Sequence, residues 1–449
     1  MDKERKKFLI ASVIILLCAF LIFFTPQLIR FFTSECPLIG YTTYYHARIG
    51  DIFKSGNLYD NLSFQGRDLS YPPLFHLIIA FFSFFFGSGS NVCFFLGPLL
   101  GAFTVLYISL ILKEMNVNRF LSLIFCLIPI GIYSFGHCNS RALTFLFGVM
   151  SLYYTIKSSN LSILFASLGV LSHPEGFLFI GVNFFYAFLR KRSIKPMIYA
   201  TIISVLLLVP HFMIFGFPQD NLLYKEYMNS PGSSLHFSGL SEIFMFNQPS
   251  AYLDLVTPII FLLFLFYKRD FFLGVLFFGF LFLTIAAERF AIYLALPLAL
   301  GVAIFLNRNN WKYTLIALII PFTIISGLWI SSLGPSDCFC RGMQYIKDTS
   351  PANSTVLADW THGQWVEELA QRKTVIDAYV EYAPNIDERL LAMKAIYKSN
   401  DSELIRNAIL DYNINYIVYS LQSQTPRQIG ELQYQCDYVN VYRIPEKNN

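Results

Sequence analysis

Long apolar segments separated by short polar loops dominate the hydrophobic pattern of this chain. The first segment, residues 8–24, contains no charged residue and is long enough to cross the hydrocarbon core of a bilayer. Ten further apolar segments follow at 92–112, 120–135, 142–157, 161–172, 175–189, 197–216, 250–267, 271–287, 290–306 and 313–333. The pattern predicts a polytopic α-helical membrane protein of about 11 spans. No convincing cleavage site follows residues 8–24, so we interpret this segment as a retained anchor.

Segment 71–87 (YPPLFHLIIAFFSFFFG) departs from this pattern because it is short and begins with Pro72-Pro73. We interpret it as an interfacial or re-entrant segment that does not cross the membrane. With this interpretation, the basic loops all lie on the side of the N-terminus, which is predicted to be cytoplasmic. These loops carry Lys113 and Arg119, Lys157, the cluster at 190–195, Lys268 and Arg269, and Arg308 and Lys312. If 71–87 crossed, the cluster at 190–195 would face outward.

Composition agrees with a membrane protein. Hydrophobic residues make up 55% of the chain and charged residues 14%, and the mean hydropathy is +0.51, which excludes an ordinary soluble protein. The net charge of +4 is explained by the cytoplasmic loops and gives no argument for a nucleic-acid partner.

The polar pattern divides the chain into two parts. Residues 1–333 are predicted to form the membrane domain, with two external loops at 25–91 and 217–249. Residues 334–449 are more charged and long enough for a small domain, and they follow a span that leaves on the outer side. Within them, 401–412 reads as a capped amphipathic helix, while 414–420 and NVYRI at 440–444 read as strands. The tail is therefore predicted to be a small extracytoplasmic α/β domain.

The eight cysteines lack the spacing of a zinc site. Cys338 and Cys340 have no second pair after them, and we expect Cys36 or Cys436 to form an external disulfide with one of them.

Several candidate residues lie in the predicted external loops. Residues 44–53 are predicted to form a short interfacial helix, with Tyr44, Tyr45 and Ile49 toward lipid and Arg48 and Asp51 toward water or a phosphate. An interfacial helix without a further role explains the same pattern.

Ionisable residues also stand where predicted spans begin or break. His137 and Arg141 precede or open the span at 142, where an arginine can hold a lipid phosphate or simply anchor the helix at the interface. His173 and Glu175 lie at a break between two apolar helices, which is either a cavity lining or a polar turn. Arg289 follows Glu288 in another outer turn, so it can hold an anion or pair with its neighbour.

Four segments together resemble the catalytic subunit of oligosaccharyltransferase, a GT-C glycosyltransferase that uses polyprenyl-linked sugar donors. They are TTYYHAR at 42–48, NVCFFLGPLLGAFT at 91–104 preceded by YPPL, SEIFMFNQPS at 241–250, and DWTHGQWVEELAQRKTVID at 359–377. The resemblance implies a GT-C-like fold, membrane lipids and a lipid-linked donor as partners, and an acceptor of unknown identity. It also implies substrate binding by Arg289, Trp360 and His362.

The chain departs from the family at its acidic positions. The first-loop Asp of the family is Thr42 here, and the second acidic pair is Asn139 and Arg141. A divalent cation needs several oxygen ligands, so we predict no metal and no other cofactor. The Asp-Tyr pair with which the family reads its acceptor peptide is Thr361-His362, so recognition of that acceptor is not implied.

Two hypotheses follow. In the first, a metal-independent glycosyltransferase uses Glu175 or Glu242, with Glu35 third, as the base for the acceptor hydroxyl. Arg48, His137, Arg141 and Arg289 then bind the phosphate, and His173, Trp360 and His362 complete the substrate site. In the second, the chain is a non-catalytic GT-C relative that binds a polyprenyl-linked lipid or a partner protein.

Overall fold

The computed structural model describes residues 3–69, 71–215, 254, 256–268, 270–286, 290–309, 312–379, 383–420 and 429–445. Glu242, Arg289 and the whole of the second external loop, 217–249, lie outside these residues. Mostly helical elements fill the first three quarters of the described chain, and a small sheet fills the last quarter.

The helices of the membrane region match the predicted apolar segments closely. They are α1 (Lys3–Thr33), α2 (Tyr41–Lys54), α3 (Leu74–Phe86), α4 (Gly89–Glu114), α5 (Ile124–Leu127), α6 (Pro129–Phe135), α7 (Ser140–Ile156), α8 (Leu161–Ser172), α9 (Gly176–Leu189), α10 (Lys195–Phe215), α11 (Val256–Lys268), α12 (Phe271–Ala286), α13 (Ala291–Asn307) and α14 (Lys312–Ser332).

The predicted span 120–135 is wrong as a single helix. A 3-10 turn at Arg119–Leu123, then α5 and α6, replace it. Pro129 lacks a backbone N–H and disfavours helical geometry at the residue before it, and Ile128 is extended with φ −74° and ψ 125°. The segment from Pro129 therefore forms a short separate helix.

Within the described ranges, four helices are long and apolar enough to cross a membrane by length and composition: Lys3–Thr33, Gly89–Glu114, Lys195–Ile214 and Tyr313–Thr349. Six shorter apolar helices accompany them, namely α3, α8, α9, α11, α12 and α13. Of these, α3 has 13 residues, fewer than the roughly 20 that a straight span requires. The prediction of a polytopic helical membrane protein is confirmed, while the number of spans stays a prediction.

Helix α2 forms where the sequence predicts it, but the predicted orientation of its faces is wrong. Tyr44, Tyr45 and Ile49 are 2%, 3% and 0% exposed, so they pack against protein and not against lipid. The cause is the close approach of α4: a Cβ atom on Gly89 would lie 2.1 Å from the Ala47 carbonyl oxygen. The backbones of α2 and α4 therefore touch, and α2 is enclosed between α3, α4 and the tail.

The tail forms a five-stranded mixed sheet flanked by helices. The strands are β3 (Thr355–Leu357), β4 (Lys373–Thr374), β5 (Ile414–Tyr419), β6 (Glu431–Cys436) and β7 (Val439–Arg443), in the order β4-β3-β5-β7-β6. Strand β3 is parallel to β4 and β5, whereas β7 is antiparallel to β5 and β6. The helices are α15 (Asp337–Thr349), α16 (Ile386–Lys398) and α17 (Ser402–Asp411). The predicted small α/β domain, its capped helix and both predicted strands are confirmed.

The first external loop is joined to this tail. It contains a short hairpin, β1 (Tyr59–Asp60) and β2 (Arg67–Asp68), whose turn places Phe64 in the hydrophobic core of the tail. The Leu62 carbonyl oxygen accepts a hydrogen bond of 2.9 Å from the backbone N–H of Thr374 in β4. The tail is therefore anchored to the membrane region through this loop.

One disulfide adds to that connection, and a second lies within the tail. Cys36, just after α1, is bonded to Cys340, and Cys338 is bonded to Cys436. The predicted disulfide is confirmed, and both cysteines offered as alternatives form one, while the side of the membrane on which they lie stays a prediction.

Candidate functional site

Arg141 and Glu175, two of the predicted site residues, lie together near the starts of α7 and α9. The Arg141 Nε donates a hydrogen bond of 3.3 Å to Glu175 Oε1, and the Tyr293 hydroxyl donates one of 2.9 Å to Glu175 Oε2. Glu175 is buried, whereas one third of the Arg141 side chain is exposed. The carboxylate therefore fixes the guanidinium through Nε, while a face of the same cation stays accessible.

His173 belongs to the same group. Its Nδ1 accepts a hydrogen bond of 3.2 Å from the Glu175 backbone N–H and lies 3.9 Å from Glu175 Oε2. A neutral ring that accepts at Nδ1 carries its proton on Nε2. The His173 ring lies 5.7 Å from the ring of Tyr71, whose hydroxyl is 2.8 Å from the Ser140 hydroxyl at the start of α7.

His137 lies in the loop before α7 and is oriented by Asn139. The Asn139 Oδ1 caps α7 by accepting from the Ala142 backbone N–H at 2.8 Å, and its amide nitrogen donates to the Ser134 carbonyl oxygen and to His137 Nε2. His137 must therefore accept at Nε2 and carry a proton on Nδ1, a buried atom. Burial lowers the pKa of His137 to about 4, so the ring is neutral.

The residues at the family's acidic positions do not fit a divalent cation. The Asn139 side chain is already used by the helix cap, and Arg141 adds a positive charge next to it. Among the described residues, one group of three metal-binding side chains comes together, namely Cys338, Cys436 and Asp437. Its two sulfurs are bonded to each other, so they are not available as thiolate ligands.

Arg48 is not open to solvent, in contrast to the prediction. It forms buried ion pairs with Asp60 and Glu367, and Arg67 extends the network to Asp377 at 3.4 Å. Burial would raise the pKa of Asp60, but the Arg48 guanidinium lowers it below its ordinary value. Burial raises the pKa of Glu367 well above its ordinary value, although Arg48 opposes this shift. The network connects the first external loop to the tail, and this connection explains why Arg48 is buried.

Sequence reasoning did not identify a buried cluster beside this network. The His46 Nδ1 is 2.9 Å from the His76 Nε2, and the His46 Nε2 is 3.3 Å from the Tyr379 hydroxyl. Burial lowers the pKa of His46 well below its ordinary value. The Tyr45 ring stacks on Tyr379 at 3.8 Å, and Tyr71 lies 5.8 Å from the same ring. His46 belongs to the TTYYHAR motif, which was the available signal, whereas nothing local marks Tyr379 or Tyr293.

The remaining predicted residues lie elsewhere or outside the described chain. Glu35 is half exposed and pairs with Arg341 at 2.7 Å, next to the Cys36–Cys340 disulfide. His362 is buried in the tail, where its Nδ1 is 2.6 Å from the Ser420 hydroxyl and its ring stacks on Trp365. Burial lowers the pKa of His362 to about 4. Trp360, in the same turn, is half-buried. Glu242 and Arg289 lie outside the described residues.

The chain is similar to known glycosyltransferases. No family model matches the chain. A curated relative, the Dolichyl-phosphooligosaccharide-protein glycotransferase 1 of Archaeoglobus fulgidus, is 29% identical over 163 residues, which are 32% of this chain and 27% of the relative. The matched segment therefore spans just over a quarter of that protein.

Solved structures extend the likeness to nearly the whole chain. The Archaeoglobus fulgidus oligosaccharyltransferase AglB, in complex with an inhibitory peptide and a dolichol-phosphate, matches with a TM-score of 0.66 and 12% identity, covering 93% of this chain and 70% of that one. ArnT from Cupriavidus metallidurans, bound to undecaprenyl phosphate, matches with a TM-score of 0.60 and 11% identity over 97% of this chain and 98% of that one. The resemblance found in the motifs is confirmed: the chain has the GT-C fold of these glycosyltransferases, at low sequence identity.

Proposed function

We propose that this protein is a membrane glycosyltransferase that takes a sugar from a polyprenyl-phosphate or polyprenyl-pyrophosphate donor on the extracytoplasmic face. The observation that carries the proposal is the arrangement of Arg141, a partly exposed cation held by Glu175 and Tyr293 at the ends of membrane helices. A guanidinium fork matches the oxygens of a phosphate group. In the two solved structures described above, the ligands are dolichol-phosphate and undecaprenyl phosphate, which supports a donor of this class.

The proposed chemistry is stabilisation of the departing phosphate together with deprotonation of an acceptor hydroxyl. Arg141 binds the phosphate, with His173 Nε2–H and His137 Nδ1–H as neutral donors. Arg289, which lies outside the described residues, keeps its proposed place on the phosphate, and Trp360 and His362 keep theirs in the tail. Arg48 is reassigned from the phosphate to holding the first external loop on the tail.

The base for the acceptor hydroxyl is proposed to be Glu175 or Glu242. Glu175 is the described carboxylate beside Arg141, and a carboxylate there can pass a proton to the region where the phosphate leaves. Glu35 is paired with Arg341 beside a disulfide, so it remains the third candidate for the base.

The active side is proposed to be extracytoplasmic, with the N-terminus cytoplasmic and the tail outside. The basic loops support this topology. The two disulfides support it independently, because disulfides persist in oxidising compartments outside the cytosol.

Transfer is proposed to need no metal. Thr42, Asn139 and Arg141 replace the acidic positions of the family, and Arg141 supplies in their place the positive charge that a phosphate needs. A divalent ion beside this guanidinium would be repelled, more strongly as water is excluded.

The test is sugar transfer by the purified full-length protein from a panel of undecaprenyl- and dolichyl-phosphate sugars and pyrophosphate sugars, with and without a strong chelator. Transfer that continues in chelator supports the proposal. Transfer that is abolished by chelator and restored by manganese or magnesium overturns its metal independence.

A second candidate is a non-catalytic relative that binds a polyprenyl-linked lipid or a partner protein. It is favoured by one observation: both described candidate bases are in ion pairs, Glu175 with Arg141 and Glu35 with Arg341. Binding of undecaprenyl phosphate without transfer from any donor in the panel would favour this candidate.

A further inference from the structure

Two cysteines outside the disulfides meet at the outer end of α4. Cys93 lies in the second turn of α4 and Cys138 in the loop before α7, and their Sγ atoms are 2.8 Å apart. Both side chains are buried. This separation is much shorter than the usual contact between unbonded sulfurs and approaches the disulfide bond length of about 2.05 Å.

The backbones are also close enough for a bond between the two residues. Gly97 is one turn after Cys93 and shares its helix face, and a Cβ atom on Gly97 would lie 2.2 Å from the His137 carbonyl oxygen. The loop before α7 therefore lies directly on α4. The Thr43 hydroxyl accepts a hydrogen bond of 3.2 Å from the Cys138 backbone N–H and fixes this loop from the side of α2.

The pair lies at the same end of the helices as the two disulfides. Phe94, next to Cys93, contacts Phe31 in the last turn of α1 with the ring centroids 5.5 Å apart, and Cys36 follows α1 by three residues. All six cysteines therefore share one side of the membrane, and two of the three pairs are already bonded.

We propose that Cys93 and Cys138 form a third disulfide in the mature protein. The two thiols lose two protons and two electrons by thiol–disulfide exchange with a protein disulfide oxidant, which is reduced to its dithiol. Exchange takes place before packing completes, while the thiols are still accessible. The bond fixes the loop at Cys138, between His137 and Asn139, and so fixes the entry into α7 ahead of Arg141. It does not depend on the proposed function.

The experiment is differential alkylation of the full-length protein, produced in a host that exports its outer loops into an oxidising compartment. The purified protein is denatured without reductant and alkylated with a first reagent, then reduced and alkylated with an isotopically distinct second reagent, and the peptides are assigned by mass spectrometry. Denaturation removes any effect of burial on labelling. We expect the second label on Cys93 and Cys138, as on Cys36, Cys338, Cys340 and Cys436, and the first label on Cys18 and Cys126.

Two variants make the assignment specific. Cys93→Ser is expected to move Cys138 from the second label to the first, whereas Cys126→Ser, which removes a buried cysteine elsewhere, is expected to leave Cys138 unchanged. The first label on both Cys93 and Cys138 in the unsubstituted protein would overturn the proposal. The labelling pattern requires no sugar donor, so its failure is distinguishable from failure of the proposed transferase activity.

Discussion

Arg141 contacts the buried carboxylate of Glu175 on one side and is accessible on the other. Its Nε is bonded to a buried carboxylate, while a third of the side chain remains exposed at the start of α7. Holding a long cation in one orientation before the ligand arrives reduces the entropy that binding must overcome. In this arrangement the main role of Glu175 is to orient Arg141. A role of Glu175 in proton transfer would be a second one.

Replacing Arg141 tests this arrangement at the level of one residue. We expect Arg141→Ala to weaken binding of undecaprenyl phosphate by about 1.5–3 kcal/mol, the range for hydrogen bonds to charged groups, which is roughly a 10- to 150-fold rise in Kd. Binding to the purified protein in nanodiscs measures the change.

Two further variants serve as controls for Arg141. Arg141→Ala combined with Glu175→Gln removes the carboxylate that would otherwise be left without its partner, and we expect it to bind as weakly as the single variant. Lys191→Ala, an exposed cation in a predicted cytoplasmic loop, is expected to bind normally. An unchanged Kd for a folded Arg141→Ala protein would refute the phosphate role of Arg141.

Glu368 makes stability depend on pH. Its Oε1 accepts a hydrogen bond of 2.8 Å from the Ser90 hydroxyl at the start of α4, and burial raises its pKa from 4.5 to about 7. The folded protein therefore holds this proton more tightly than the unfolded chain does. The contribution of Glu368 to the free energy of unfolding has its full value below about pH 4.5. It is lost as the pH rises toward and through 7.

We expect Glu368→Gln to remove this loss, because the amide is neutral at every pH and keeps an acceptor for Ser90. The difference between wild type and variant in the free energy of unfolding is expected to grow by about 1–3 kcal/mol from pH 5 to pH 8. Thermal unfolding at both pH values measures it, with Glu403→Gln on an exposed face of α17 as the control. Equal pH dependence in wild type and Glu368→Gln would contradict the assignment.

At the level of elements, the hairpin after α2 and the tail are held together by buried charges as well as by Phe64. Arg48 lies between Asp60 of the hairpin and Glu367 of the tail, and all three side chains are almost completely buried. An ion pair of this kind contributes little compared with a well-packed apolar contact, but loss of one partner leaves a buried charge without compensation. The attachment of the tail is therefore sensitive to single substitutions here.

We expect Arg48→Ala to destabilise the folded protein by about 3–5 kcal/mol, because the buried Asp60 carboxylate would lose its nearest cation and Glu367 its hydrogen-bond donor. Combining it with Asp60→Asn is expected to restore part of the loss, since the carboxylate left without its nearest cation is removed. Unfolding monitored by tryptophan fluorescence gives the values. Lys54→Ala, on the same helix but bonded to the backbone carbonyls of Ser83 and Gly87 and not to a carboxylate, provides the matched control. A loss below about 1 kcal/mol for Arg48→Ala would show that the network does not hold the tail.

The elements also show which features the sequence could predict. The bounds of α8 coincide with the predicted 161–172, because an apolar run of fixed length is flanked by polar breaks. The break at Pro129 was hidden by apolar residues on both sides. Helix α2 was given the wrong surroundings because an amphipathic helix has the same composition whether its apolar face meets lipid or protein. The distinction depends on α4 and the tail, which are distant in sequence.

The site was predictable to the extent that its residues are marked locally. Arg141, His173 and Glu175 stand at helix ends in an otherwise apolar chain, and the structure brings them together. Tyr293 looks like any aromatic residue of a membrane helix until the fold places its hydroxyl on Glu175, 118 residues away in sequence. Glu367, one of the two ion-pair partners of Arg48, is 319 residues away from it in sequence. Pairings of this kind arise from the fold and leave no local pattern.

At the scale of the whole molecule, the decisive prediction is which side each part faces. Lys191→Cys, in a predicted cytoplasmic loop, and Asn353→Cys, in the exposed start of the tail, are expected to react with a membrane-impermeant maleimide from opposite sides in intact cells. The reason is the excess of basic residues in one set of loops. The unsubstituted protein gives the background labelling. Labelling of position 191 but not 353 from outside would show that 71–87 crosses the membrane, and labelling of both from outside would show that the number of spans between them is wrong.

The Cys36–Cys340 bond has a consequence for the order of biogenesis. Its two halves stand immediately after the first and the last helices of the membrane region, 304 residues apart. The bond cannot close until Cys340 has been synthesised and delivered to the side on which Cys36 is waiting. A chain whose synthesis stops early, or whose last helix is inserted in the wrong direction, keeps an unpaired thiol at Cys36. Closure of this ring therefore records that the membrane region has been completed and that its two ends lie on the same side of the membrane.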